Sequence, residues 1–281
     1  MPEATTMTPS APAYDLADAV DKLYTDGIVG LKGAFSRDWV AALGEDIDRA
    51  FDEAIDRPGG AVGRGPNRYY VEVHPEDYRG FVELCTHPWV VGVCESVLGP
   101  DYEIVEIGFD IPFGGAVNQP WHRDFPSPAD TYEGRRLTSL AFNITTVDVE
   151  PDMGPFEIAP GTQWESGLDF KHQMFPDESQ WPRYAGLAQQ KLTKMGDISA
   201  RSALTIHRGT ANRTDKKRPT MVLGVDAPGA GHGALHDLQV TQKFYDTVPD
   251  SLRRHLDCRV VDRLEPIVQK HTIEGLVMGA P

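Results

Sequence analysis

The chain carries one triplet whose residue types and spacing suit metal chemistry, His122-Arg123-Asp124, within the segment Asn118-Gln119-Pro120-Trp121-His122-Arg123-Asp124-Phe125. On an extended strand, residues two apart project from the same face. His122 and Asp124 are therefore expected to point together, with Arg123 pointing away. A third ligand has to come from another strand facing the same space. His207 closes the apolar run Ser202-Ala203-Leu204-Thr205-Ile206 and is expected at a strand end, where a pocket mouth would open. Two imidazoles and one carboxylate hold one face of a non-haem Fe(II) ion and leave its other positions open for O2 and a cosubstrate.

Other histidines compete for the third place. His232 and His236 are four apart, but Gly229, Gly231 and Gly233 surround them and argue against a helix that would align them. His74 and His87 precede the strand-rich region, His172 falls in a long connecting segment, and His255 and His271 follow in the polar C-terminal part. These are expected to be solvated or capping residues. Eleven residues after His207 comes Arg218, at the start of an apolar run. A 2-oxo acid chelates iron through its keto-acid end, and its far carboxylate then needs a fixed two-pronged cation, which Arg supplies and Lys does not. Lys216 and Lys217 read as a solvated basic turn, and Arg218 as the buried member of the three. Gln119 is a further candidate for binding the 2-oxo acid or orienting a ligand. Asn143 and Thr145 share one face of their strand and are candidates for the same cavity. Arg64, Arg68, Tyr69 and Tyr70 lie in or just after an early loop, where substrate contact competes with simple solvation.

The whole-chain properties narrow the classes. A length of 281 residues suits one enzyme domain large enough to enclose a pocket. The net charge of −15 repels phosphate backbones and anionic lipid, so neither nucleic acid nor a membrane is expected as partner. Three cysteines, Cys85, Cys94 and Cys258, show no metal-type spacing and read as free thiols of a reducing, cytoplasmic compartment. No apolar run approaches the roughly 20 residues that span a bilayer. Residues 1–13 read as a disordered leader rather than a signal peptide, leaving 14–281 as a single domain, monomeric or homodimeric.

The elements that must position these groups fall into two textures. Up to about residue 100 the pattern is mostly helical. Leu16, Ala19, Val20, Leu23 and Tyr24 follow helical spacing and stop at Gly27, and 28–31 reads as a short strand. Val40, Leu43, Ile47, Phe51 and Ile55 mark a second helix with Ser36 as its cap. Residues 56–67 read as a Gly/Pro/Arg loop, and Thr86-His87-Pro88 opens a third helix. Beyond Gly99-Pro100 short β-rich runs alternate with turns at 102–111, 137–147, 155–159, 198–207 and 219–225, the pattern of an antiparallel sandwich or barrel. Residues 169–188, aromatic and without periodicity, read as a long insertion loop of the kind that forms lids. Residues 248–264 read as weakly helical.

Together these residues resemble the phytanoyl-CoA dioxygenase family of Fe(II)/2-oxoglutarate-dependent oxygenases. The resemblance spans Tyr24-x-x-Gly27, Trp121-His122-Arg123-Asp124-Phe125, the turn Gly154-Pro155-Phe156-Glu157-Ile158-Ala159-Pro160-Gly161-Thr162, Gly196-Asp197, and His207-Arg208-Gly209-Thr210-x-Asn212 followed by Arg218. Two departures stand out: Gln163 replaces a histidine of the family's turn, and the residues after Phe125 do not match the ectoine-hydroxylase motif, which argues against ectoine as substrate. The resemblance implies a mainly β fold with flanking helices, a double-stranded β-helix (jelly roll, cupin-like). It implies Fe(II) on His122, Asp124 and His207, 2-oxoglutarate with its distal carboxylate on Arg218, O2 as oxidant, and succinate and CO2 as coproducts. The expected reaction is hydroxylation of an unactivated C–H bond in a small molecule, of the natural-product or amino-acid-like kind met in secondary metabolism. Desaturation, cyclisation and demethylation are alternatives on the same iron. Halogenation is disfavoured because Asp124 fills the place a halide would need. A non-catalytic cupin-like binding protein is the rival from another class, and the Arg after the distal His speaks against it.

Overall fold

The computed structural model describes residues 14–126, 129–166 and 170–270, so the expected leader at 1–13, the start of the 169–188 segment and the last eleven residues lie outside the description. Four helices precede the main β region. They are α1 (Leu16–Thr25), α2 (Arg37–Ala54), α3 (Phe81–Cys85) and α4 (Pro88–Val97). Their starts follow the local chemistry. Asp15 accepts hydrogen bonds from the N–H groups of Ala17 and Asp18 at 2.9 and 3.2 Å, Ser36 accepts from Trp39 at 3.2 Å, and His87 accepts from Trp89 at 3.2 Å through Nδ1. Each side chain satisfies an N–H that the first turn leaves unpaired.

The first hundred residues are less helical than their sequence suggests. They also contribute β1 (Ile28–Leu31), β2 (Ala61–Gly63) and β3 (Arg68–Glu72). Strand β2 lies inside the expected 56–67 loop and pairs with β3 as a hairpin that extends the sheet. Strands β4 (Glu103–Pro112), β5 (Ser139–Thr145) and β6 (Phe156–Ile158) follow, with helix α5 (Ala129–Glu133) between β4 and β5. Then come β7 (Phe170–Lys171), β8 (Phe175–Pro176), helix α6 (Trp181–Leu187), β9 (Gln189–Lys191), β10 (Ile198–Ser202), β11 (His207–Gly209) and β12 (Thr220–Asp226).

The major sheet runs β1-β10-β5-β12-β4-β3-β2, all antiparallel, and a minor sheet runs β11-β6-β9. Period-two alternation gives the major sheet two faces. Ile107, Phe109 and Ile111 of β4, Leu140, Phe142 and Ile144 of β5, and Met221, Leu223 and Val225 of β12 belong to the apolar core shared with the helices. The intervening Glu106 and Asp110, Asn143 and Thr145, and Thr220 and Val222 line a cavity on the other face. This is the expected jelly-roll arrangement with helices outside.

Three expectations are corrected. The run 198–207 is not one strand: β10 ends at Ser202 and β11 begins at His207, in the other sheet. The Ser202 hydroxyl accepts from the N–H of Leu204 at 3.2 Å, and Thr205 N–H donates to the Ser202 carbonyl at 3.2 Å, so a serine-initiated turn interrupts the apolar run. The 169–188 segment is not one irregular loop. Its first part is the β7/β8 hairpin, and its second part contains α6, whose Tyr184 packs in a small core with Trp121, Ala159 and Ile206. Within 248–264 only α8 (Asp250–Arg253) is helical, after α7 (Gln242–Tyr245), while β13 (Gln239–Thr241) and β14 (Arg259–Val261) pair in parallel. No helix among the described residues is long and apolar enough to cross a membrane.

Candidate active site

His122 and Asp124 do not lie on a regular strand. His122 forms an isolated antiparallel bridge with His207: each histidine's N–H donates to the other's carbonyl, at 3.0 and 2.9 Å. Asp124 N–H donates to the Ala203 carbonyl at 2.9 Å, beside the turn that separates β10 from β11. The three expected ligands therefore meet, held by backbone pairing rather than by a strand's pleat.

Three motifs lock His207 in place. Gly27, at a left-handed φ of 77°, passes so close to Thr205 that a Cβ there would stand 2.1 Å from its Oγ1. Only glycine tolerates both demands. The Thr162 hydroxyl accepts from Ile206 N–H at 2.9 Å and donates to the Ala159 carbonyl at 2.7 Å. Gln163, which replaces a histidine of the resembled turn, donates Nε2 to the carbonyls of Tyr24 and Thr25 at 2.9 and 3.2 Å.

One ligating atom from each of His122, Asp124 and His207 lies within 4.8 Å of the others. His122 Nδ1 donates to the Pro120 carbonyl and His207 Nδ1 to the Thr205 carbonyl, each at 2.8 Å. A carbonyl only accepts, so both protons sit on Nδ1 and both Nε2 lone pairs are free. His207 Nε2 stands 3.2 Å from Asp124 Oδ1, an approach of two lone pairs that a cation between them stabilises. Burial lowers His122 to about 3, so its ring is neutral, as a ligand must be. Burial would raise Asp124, yet the Arg201 guanidinium holds it well below the ordinary carboxylate range. Arg201 reaches both Asp124 oxygens, one of them at 3.3 Å. Sequence reading missed Arg201, although a charged residue amid Ile198-Ser199-Ala200 was a signal. This donor set fits Fe(II).

The second half of the site lies on the same cavity, of about 690 Å³. Arg218 is 3% exposed and Arg68 is 2% exposed, and both face the Asp110 carboxylate, at 3.6 and 3.4 Å. Two buried guanidiniums share one carboxylate, leaving one positive charge uncompensated. Burial, reinforced by Arg68 and opposed by Asp110, lowers Arg218 to about 10. The Nε atoms of both arginines are buried without a hydrogen-bond partner. The pair thus fits a ligand carboxylate. Arg68 is no solvated loop residue: it donates to Gln119 Oε1 at 3.0 Å and the Thr210 carbonyl at 3.2 Å. Its guanidinium lies where a Cβ on Gly209 would be, 1.8 Å away, which explains the small residue two places after His207. Gln119 Oε1 also accepts from Gly209 N–H at 2.9 Å, so its carbonyl end orients Arg68 and β11. Asn143 and Thr145 line the cavity as expected, with Thr145 Oγ1 2.9 Å from Thr193 Oγ1. Tyr70 lines the cavity as well, whereas Tyr69 packs against Phe51 and Phe113.

The competing histidines have other partners. His232 Nδ1 lies 3.1 Å from Asp226 Oδ1 and its ring stacks on Phe125, while His87 caps α4. His74 and His255 are buried and bonded to backbone, not solvated. His236, expected to be solvated, turns its side chain inward, 8% exposed, towards Glu72 and Glu106. The β7/β8 hairpin borders the site. Arg123 N–H donates to the Met174 carbonyl at 3.0 Å, Arg123 lies 3.8 Å above the Phe170 ring, and Phe175 sits 6.0 Å from the His122 ring.

The fold agrees with sequence-family comparison. The phytanoyl-CoA dioxygenase model matches residues 23–220, and the chain belongs to that family, whose members are iron- and 2-oxoglutarate-dependent dioxygenases. No curated protein sequence matches it significantly. Among solved structures, EctD from S. alaskensis with 2-oxoglutarate and 5-hydroxyectoine superposes with a TM-score of 0.61 at 19% identity, covering 79% of this chain and 79% of that one. The carbocyclase SnoK from nogalamycin biosynthesis gives 0.60 at 21% identity, covering 78% and 88%. The epimerase SnoN in complex with Fe3+, alpha ketoglutarate and nogalamycin RO gives 0.61 at 18% identity, covering 92% and 96%. At these identities the likeness is one of fold.

Proposed function

We propose that this chain is an Fe(II)- and 2-oxoglutarate-dependent oxygenase that hydroxylates an unactivated C–H bond of a small organic substrate, releasing succinate and CO2. One observation carries the reading: the His122/Asp124/His207 cluster and the undercompensated Arg218/Arg68 pair open onto one cavity. His122 and His207 donate Nε2 and Asp124 a carboxylate oxygen to the iron, and Arg201 fixes the angle of that carboxylate. Arg218 takes the distal carboxylate of 2-oxoglutarate, and Arg68 with Asp110 holds Arg218 in place. Bound iron with 2-oxoglutarate supplies the oxidising power, drawn from O2. The protein's own task is to aim one substrate carbon and keep water out. Desaturation or ring formation would use the same residues with a different substrate placement, and the carbocyclase SnoK carries ring formation in its name.

The test is succinate formation by the protein reconstituted anaerobically with Fe(II) and then given 2-oxoglutarate and O2. Wild type should form succinate, and His122→Ala, Asp124→Ala and His207→Ala should each abolish it and lose Fe(II) while keeping the thermal transition. Retention of Fe(II) by all three variants would refute the ligand set, and absence of 2-oxoglutarate turnover in every condition would leave a cupin-like binding protein.

A further inference from the structure

A second polar cluster lies on the cavity, and the iron chemistry does not use it. Glu72 on β3 and Glu106 on β4 project from adjacent strands, with Glu72 opposite Gly108 in the register and Glu106 two places before Gly108 on β4. His236, just after the turn that follows β12, completes the cluster. Its Nδ1 is 3.5 Å from Glu72 Oε1 and its Nε2 is 3.9 Å from Glu106 Oε2. The three side chains are 8%, 13% and 8% exposed, in the order Glu72, Glu106, His236. Both ring nitrogens of His236 are buried without a hydrogen-bond partner, although the ring faces the cavity. Such a group is costly to leave unsatisfied, and a ligand removes that cost.

The chemistry of that ligand follows from charge and spacing. Among the described residues, no lysine or arginine forms an ion pair with Glu72 or Glu106. Arg64 lies over the Tyr70 ring, 4.9 Å from its centroid, and pairs with neither carboxylate. Tyr70 donates its hydroxyl to Glu106 Oε1, leaving Oε2 free. The local field is negative: burial alone lowers His236, yet Glu106 and Glu72 overcome it and lift the ring to about 8. One atom from each of the three side chains lies within 4.8 Å of the others. A proton on His236, which lies 3.5 Å from Glu72 and 3.9 Å from Glu106, offsets one of their charges, and an arriving –NH3+ takes over that role while the freed ring nitrogen accepts from it. Two carboxylates outweigh the one imidazolium, so an anion is repelled here and a neutral hydroxyl leaves the remaining negative charge uncompensated.

We propose that Glu72, Glu106 and His236 are the recognition site for a primary ammonium group, so that the substrate of this cavity is a small amine. The inference rests on the oxygenase reading for the word substrate, but the site itself does not depend on iron. Asp110, which faces Arg218, is four residues from Glu106 along β4, so the ammonium end and the 2-oxoglutarate end are about 13 Å apart along the strand. Asp124 is near enough for its charge to contribute to the raised Glu106 carboxyl, after burial and closer neighbours. A molecule anchored at Glu72 and Glu106 therefore extends towards the metal cluster, and its length decides which carbon arrives there.

The test is binding, not turnover. n-Hexylammonium, 1-hexanol and hexanoate are titrated into the full chain with 2-oxoglutarate present, followed by ligand-observed NMR. The ammonium should bind at least tenfold more tightly than the alcohol, with hexanoate weakest at this site. Glu72→Gln/Glu106→Gln should erase that preference while leaving 2-oxoglutarate affinity and the melting temperature unchanged. Should the double variant fail to bind 2-oxoglutarate, Glu72→Gln alone gives the answer, because the Glu72 carboxylate accepts no side-chain hydrogen bond among the described residues. Equal binding of hexanol, or a preference that survives the substitutions, overturns the proposal. So does stoichiometric Zn2+ binding that persists in Asp124→Ala and disappears in Glu72→Gln/Glu106→Gln, which would make the cluster a metal site. Loss of succinate formation with an intact amine preference would sink the oxygenase reading alone, and the converse would sink this one alone.

Discussion

Arg201 and Asp124 form a two-pronged ion pair in which a guanidinium from β10 spans both oxygens of the carboxylate, 8% and 20% exposed respectively. The pair ties the major sheet to the segment bearing His122. It also keeps the carboxylate ionised where burial would protonate it. Removing such a partner of a metal ligand typically lowers metal affinity about 10–100-fold. Arg201→Gln should therefore weaken Fe(II) binding by that factor and leave 2-oxoglutarate binding to the Arg218 end intact, with Arg201→Lys partly restoring it. Fe(II) titration checks this, and an unchanged affinity in Arg201→Gln would remove the positioning role.

Arg218 and Arg68 divide one task unequally. Truncating one partner of a buried charged pair costs about 2–5 kcal/mol. Arg218→Ala should raise the 2-oxoglutarate dissociation constant accordingly, with little change in Fe(II) affinity. Arg68→Ala should act in the same direction but more broadly. It also releases Gln119 and the Thr210 carbonyl, so its melting temperature should fall as well. Calorimetric titration with 2-oxoglutarate separates the two. An Arg218→Ala protein with normal 2-oxoglutarate affinity would shift the role to Arg68.

Acid should destabilise the metal-free protein through His122. In the unfolded chain the imidazole takes up a proton near pH 6.5, but the buried ring resists until about 3. The unfolded state then binds more protons across that interval, so stability is full above about pH 6.5 and falls as pH drops towards 3. Asp124, with its lowered carboxyl, adds to the loss at the acid end. The melting temperature of wild type should decline between pH 6.5 and 4 more steeply than that of His122→Gln. Parallel curves would contradict this.

The β7/β8 hairpin is the part of the 169–188 segment poised to act as a cover. His172 and Gln173 at its tip hold positive φ values of 53° and 61°, a conformation that side chains rarely favour. The hairpin touches Arg123 and the His122 ring, whereas α6 is anchored by Tyr184 in its own small core. Limited proteolysis should cut near 172–173, be suppressed by Fe(II), 2-oxoglutarate and an amine ligand together, and spare 181–187. Equal protection in the ligand-free protein would make the hairpin a fixed wall.

What the sequence revealed, and what it hid, divides along a physical line. Periodic patterns were legible: the amphipathic helices, the Ser36 cap, the helix opening at His87-Pro88, and the alternating faces of β4, β5 and β12 all follow from local rules. Residue type and order also singled out His122, Asp124, His207 and Arg218 as candidates, and the structure brings all four to one cavity. Their support was not legible. The turn at 203–206 lies within an apolar run, so its break depends on hydrogen bonds of Ser202 and Thr162 rather than on hydropathy. Arg68 reads as a loop arginine until Gly209 is seen to make room for it. Glu72, Glu106 and His236 come from three elements 34 and 130 residues apart in sequence, and no spacing rule joins them.

Gly224 lies on β12 directly against Glu106. A Cβ there would come within 2.8 Å of the Glu106 Cβ and 2.9 Å of its Oε2. Widening or narrowing that corner of the cavity and altering its charge are thus a single adjustment. Even one added methyl must swing the carboxylate away before it takes up any room. A redesign of this enzyme for bulkier or smaller molecules would therefore alter which charges it tolerates at the same stroke, and the smallest residue in the strand is where that trade is set.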